Sequence, residues 1–172
     1  MEQEEKLRMH IYSRLLDFVE SMAVYRALYS ARIHERTDID EEIKKLWTNI
    51  SDNCLQMAVV NWCKVFSSNR KNNKTHYSYL CNSTNDFRNA VSKAEIDFDQ
   101  YVRSMKSFRD NYISHDDLEY EEIPFLDNAL TICNIYENEV ICKDPQYIPF
   151  DLQAHYKGRE KLYKRYLNDF RF

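Results

Sequence analysis

A single glycine, Gly158, in 172 residues limits what this chain can fold into more than any motif does. Only three prolines accompany it, all beyond position 123. Sheet folds change direction often, and tight turns rely on Gly and Pro to supply backbone angles that other residues resist. A chain so poor in both is restricted to long helices with few connections. Hydrophobic residues make up 44% and charged residues 30%, which excludes a disordered chain, and the length suffices for one domain with a real core. The expected fold is all-α: a bundle of four main helices with a short C-terminal appendage.

The hydrophobic pattern places these helices. Leu7, Ile11, Leu15, Phe18, Met22, Tyr25 and Leu28 recur at three- and four-residue steps, so the first helix carries one apolar stripe. Asp38 and Glu41 have capping-box spacing and restart the chain. The second helix carries Ile43, Leu46, Trp47, Ile50, Cys54, Met57, Val60, Trp62 and Val65, and its last third, MAVVNWCKVF, is apolar nearly all round. A polar loop, SSNRKNNKTHYSYLCNST, follows. Ser83 or Thr84 caps a third helix with the stripe Phe87, Val91, Ala94, Phe98, Val102, Met105. Arg109 and Tyr112 continue that stripe, which puts an arginine in phase with the core-facing row. A fourth helix starts near Pro124 and runs through Leu126, Leu130, Cys133, Tyr136 and Val140. Residues 1–143 form the bundle; 144–172 form an extended segment and a basic amphipathic helix.

The net charge of −4 is unevenly spread. Asp110 to Asp151 holds many acids and one base, Lys143, whereas Arg70, Lys71 and Lys74 stand in a stretch without acids. The C-terminal HYKGREKLYKRYLNDFRF mixes bases with aromatics, as RNA-binding tails do, or docks on the acidic 110–151 surface; docking is favoured because that acidic segment needs a partner. No apolar run approaches a membrane span, and the acidic N-terminus does not read as a secretory signal. The five cysteines are odd in number and lack a CxxC pair, so they read as buried thiols of a cytoplasmic protein.

The stretch SFRDNYISHDD concentrates chemistry. Arg109 is suited to bidentate phosphate binding and His115 to proton transfer near neutral pH, a pairing that fits RNA cleavage with the ribose 2′-hydroxyl as internal nucleophile. Spacing alone is weak, since Arg70 and His76 repeat it in the loop. Six positions of ideal helix leave His115 about a third of a turn from Arg109, so the helix bends or ends if both reach one point. The alternative is an arginine bonded to helix-terminal carbonyls and a solvated histidine. A divalent-metal site on His115, Asp116 and Asp117 is disfavoured, because adjacent acids on a helix do not converge.

FRDNYISHDD resembles the R-D-x-x-[IV]-[AS]-H signature of the HEPN superfamily, in particular its abortive-infection-type members. Upstream, NWCKVF followed by KTHYSYL is similar to the W-C-K-x-F and T-H-aromatic pattern of that subgroup, so the likeness covers roughly residues 7–142. The resemblance implies a HEPN-like bundle that homodimerises with two Arg–His motifs facing each other. It implies a metal-independent, cofactor-free endoribonuclease of a toxin–antitoxin or phage-defence system, with RNA as substrate and an antitoxin or other protein as partner. Carried over, Arg109 holds the scissile phosphate, His115 is general acid or base, and Asp110, Asn111 and Asp116 support or orient them. Arg70 and His76 are candidate substrate contacts, although for Thr75 and His76 local loop fixing is the favoured role. The superfamily also contains non-catalytic modules that bind protein, nucleotide or RNA, and the acids after His115, which repel an RNA backbone, support that alternative.

Overall fold

A computed structural model describes residues 2–32, 35–37, 39–67, 74–113, 123–143 and 150–169. Their regular structure is helical throughout, with no strand among the described residues. In chain order the helices are α1 (Glu2–Ser30), α2 (Glu41–Phe66), α3 (Thr84–Ser92), α4 (Phe98–Phe108), α5 (Leu126–Tyr136) and α6 (Leu152–Asp169). A 3-10 turn covers Tyr77–Tyr79, and two π-turns extend helices: Arg109–Ile113 follows α4 and Glu137–Ile141 follows α5.

The α1 stripe is buried from Ile11 through Leu15, Phe18 and Met22. It packs chiefly against α2 and, along another side, against α6. The cap of α2 is Asp40, whose carboxylate accepts from the Glu42 amide at 2.8 Å; the expected cap, Asp38, lies outside the described residues. Burial of the last third of α2 is nearly complete: Ala58, Val59, Trp62, Cys63, Val65 and Phe66 are all inside. Of its expected stripe, Trp62 and Val65 are buried, Ile43, Trp47, Ile50, Cys54 and Val60 are half-buried, and Leu46 and Met57 are 56% and 51% exposed. A small cluster around Leu28 and Ile39 covers the first half of α2.

The core centres on the Phe66 ring. Trp62, Tyr136, Tyr77, Phe87 and Phe98 surround it at centroid distances of 4.9, 5.5, 5.9, 6.2 and 6.3 Å. Rings at such distances add to area burial through edge-to-face contacts. The polar ends are satisfied as well: Trp62 Nε1 donates to the Ala129 carbonyl at 3.3 Å, and the Tyr136 hydroxyl to the Tyr77 carbonyl at 2.9 Å. NWCKVF therefore places Trp62, Cys63 and Phe66 in the core, with only Lys64 turned outward.

The expected third helix is two helices. The chain breaks between α3 and α4, with Glu95 at φ 60° and Asp97 capping α4 by accepting from the Gln100 amide at 2.9 Å. The Arg88–Asp99 ion pair, at 2.9 Å, holds the two pieces together. Restarting at Asp97 shifts the buried row of α4 to Phe98, Tyr101, Met105 and Phe108. Arg109 falls at the edge of that row, not within it.

The C-terminal helix is built into the bundle. Leu152 and Tyr156 are buried in the same core as α1 and α5. Among the described residues its polar face meets an α1 carboxylate, Glu20, while much of the expected acidic partner, residues 114–122 and 144–149, lies outside the described residues. His155 Nε2 lies 2.8 Å from Glu20 Oε1, Arg159 Nε donates to that oxygen at 2.7 Å, and the Tyr163 hydroxyl donates to Oε2 at 3.0 Å. Three residues one turn apart on α6 thus converge on one acid of α1, while within the 110–151 segment Glu137 accepts from the Leu152 amide at the start of α6 at 2.9 Å.

Candidate functional site

Arg109 opens the π-turn that ends α4. A π-turn bonds i to i+5 and departs from the α-helical phase, so the helix does change geometry between Arg109 and Ile113. The guanidinium is held by its own neighbour: Nε donates to Asp110 Oδ1 at 2.8 Å, and Nη2 lies 2.6 Å from the same oxygen. The Arg109 side chain is 25% exposed, so this charge-assisted pair sits at the surface of the core, not inside it. Asn111 turns away from the pair and donates from Nδ2 to Ser107 Oγ at 3.2 Å. His115 and Asp116 lie outside the described residues, as does Arg70.

Cys63 shows where the pair sits relative to α2. Burial pushes the Cys63 thiol up; a hydrogen bond with Ser67 and the positive field of Arg109 pull it down, and Asp110 raises it. The Sγ contacts the Met105 carbonyl at 3.7 Å. Arg109 and Asp110 are therefore seated beside the last turn of α2, where the chain leaves toward the segment carrying Lys74 and His76. All five cysteines are free thiols.

His76 is engaged in local structure. It caps the 3-10 turn, with Nδ1 accepting from the Ser78 amide at 3.3 Å and lying 2.8 Å from Ser78 Oγ, while its ring rests 4.5 Å from that of Tyr77. Thr75 Oγ1 donates to the Lys64 carbonyl at 3.4 Å and ties this turn to the end of α2. The structure thus brings Arg109, Asp110, Lys64 and Thr75 to one end of α2, and uses the Nδ1 atom of His76 to build the turn.

A buried polar centre at Glu137 was not evident in the sequence. Glu137 Oε1 accepts from the Tyr12 hydroxyl and, at 3.0 Å, from the Phe150 amide; Oε2 accepts from the Leu152 amide at 2.9 Å. Burial, and then the neighbouring Glu137 carboxylate, drive the Tyr12 pKa upward. Arg8 Nη1 donates to the Ile141 carbonyl at 2.6 Å and closes the π-turn. No local pattern announces this centre, because Tyr12 and Glu137 are 125 positions apart. The π-turn at Glu137–Ile141 serves packing, with Glu137, Val140 and Ile141 buried.

Among the described residues no group of three or more His, Cys, Asp or Glu is arranged to hold a metal ion, and no helix is long and apolar enough to cross a membrane. No family model, curated protein or solved structure matches the chain.

Proposed function

We propose that this protein is a metal-independent endoribonuclease of the HEPN type, acting as a homodimer in a toxin–antitoxin or phage-defence system. The observation that carries the reading is the Arg109 turn: a guanidinium oriented by Asp110, placed at the first position of a π-turn and 25% exposed beside the end of α2. An arginine fixed in this way binds a phosphodiester without first losing its own rotamer freedom. In the proposed reaction His115 removes the 2′-hydroxyl proton as general base while water protonates the departing 5′-oxygen, or His115 protonates that oxygen as general acid while water takes the 2′-hydroxyl proton. The 2′-oxygen bonds to phosphorus, the bond from phosphorus to the 5′-oxygen breaks, and Arg109 stabilises the charge on the phosphate. Asp116 would orient His115.

Purified wild-type protein should cleave RNA equally with a chelator and with divalent ions. Arg109→Ala and His115→Ala should each lower the rate by about 10² to 10⁴, with the helical circular dichroism spectrum retained. RNA left intact under both conditions would overturn the nuclease reading. The second reading, a non-catalytic binding module, is favoured by one feature: Asp110 already offsets the charge of Arg109. It predicts intact RNA together with recovery of a stable, stoichiometric protein complex.

A further inference from the structure

We infer that the groove between the first turns of α1 and residues 74–79 binds a nucleotide unit of single-stranded RNA. The inference rests on the nuclease reading above and names where its substrate lies. The groove has a volume of about 850 Å³ and is lined by Lys6, Leu7 and His10 on one side and Lys74, Thr75 and Tyr79 on the other. That volume is within the range of pockets that enclose a nucleotide-sized ligand.

Three features specify the chemistry of the occupant. The first is charge. Lys6 and Lys74 line the groove, and among its described lining residues the acid is Glu4, which is paired with Arg8 at 3.2 Å. Two ammonium groups against one paired carboxylate suit a phosphate backbone. The second is an aromatic platform. Tyr79 is 41% exposed, yet it stands on a turn whose other end is fixed: Tyr77 is buried in the aromatic core and its carbonyl accepts from Tyr136. A ring presented from a rigid base stacks on a nucleobase with little ordering cost, and stacking tolerates any base. The third is position. Thr75, a lining residue, bonds to Lys64 at the end of α2, and α2 also packs against the turn that begins at Arg109. The groove and the Arg109 turn are thereby joined through one helix.

The test is fluorescence anisotropy with an end-labelled single-stranded 2′-O-methyl RNA, whose blocked nucleophile separates binding from cleavage. Tyr79→Ala should weaken binding by about ten-fold or more, and Tyr79→Phe should restore it. Lys6→Gln with Lys74→Gln should flatten the logarithmic salt dependence by about 0.7 for each cation removed. The same strand annealed to its complement should bind at least about ten-fold more weakly, since its bases are withheld from Tyr79. Equal affinity of wild type, Tyr79→Ala and the double lysine variant would overturn the inference. Adenosine monophosphate binding as tightly as the strand would overturn the polymer assignment. The two readings fail separately. If groove variants lose the 2′-O-methyl strand while unmodified RNA stays intact, the groove stands and the nuclease falls. If RNA is cut and groove variants bind like wild type, the nuclease stands and the groove falls.

Discussion

At Glu137 one carboxylate holds three elements together. It is almost fully buried, and its two oxygens accept from a hydroxyl on α1 and from two amides at the start of α6, while the residue itself belongs to the turn after α5. A buried carboxylate is tolerated only when its lone pairs are filled, and removing it strands the donors that filled them. Glu137→Ala should therefore cost about 2 kcal/mol, since the Tyr12 hydroxyl and the Leu152 amide lose their acceptor at about 1 kcal/mol each while the Phe150 amide keeps the Tyr12 oxygen at 3.0 Å. In a chain of this size that is about 4–8 °C of thermal midpoint. Glu137→Gln, which keeps one acceptor oxygen, should lie between the variant and wild type. Thermal denaturation followed by circular dichroism reads this directly, and an alanine variant melting with wild type would show that the donors find other partners.

Between elements, the contact of α6 with α1 is governed by Glu20. Burial alone would raise its pKa, but hydrogen bonds from His155, Tyr163 and Arg159 and the arginine charge outweigh it, and the value lies below the ordinary one of 4.5. A carboxylate whose pKa is depressed on folding contributes its full stability above the unfolded-state pKa and loses it as the pH falls through the folded-state value. The stability gap between wild type and Glu20→Gln, measured as urea midpoints, should be largest above the ordinary carboxylate range and should shrink as the pH falls below it. A gap that is constant with pH would mean that Glu20 acts through packing and not through its charge. The break between α3 and α4 is the other feature at this scale, and it was missed in the sequence for a definite reason. Ala94 and Phe98 keep the three- and four-residue rhythm running across the break, so the apolar pattern does not register it. Asp97 caps the restart by accepting from the Gln100 amide.

For the whole molecule, the aromatic core fixes where the candidate site can be. Phe66 and its neighbours lock the end of α2, the 3-10 turn and α4 into one packed unit, so Arg109 and the groove are carried on the same rigid base. The composite site proposed above requires two copies. Light scattering should therefore give about 42 kDa, twice the 20.9 kDa of one chain, at concentrations where RNA is cleaved. Cleavage by a species of single-chain mass would remove the need for a facing motif.

The near absence of glycine and the helical rhythm of α1, of α2 from Trp62 to Phe66 and of α5 determined by themselves that this is a helical bundle, because both signals act over one or two turns of chain. Local chemistry also marked Arg109 with Asp110 as a pair to follow. Only the tertiary structure decided that Arg109 lies at the edge of the core row, that His76 builds a turn, and that Glu20 and Glu137 bind partners more than a hundred positions away. Those outcomes depend on which helix faces meet. A periodic pattern says that a face is apolar, but the restart at Asp97 sets its phase, and packing alone sets what stands opposite a buried acid.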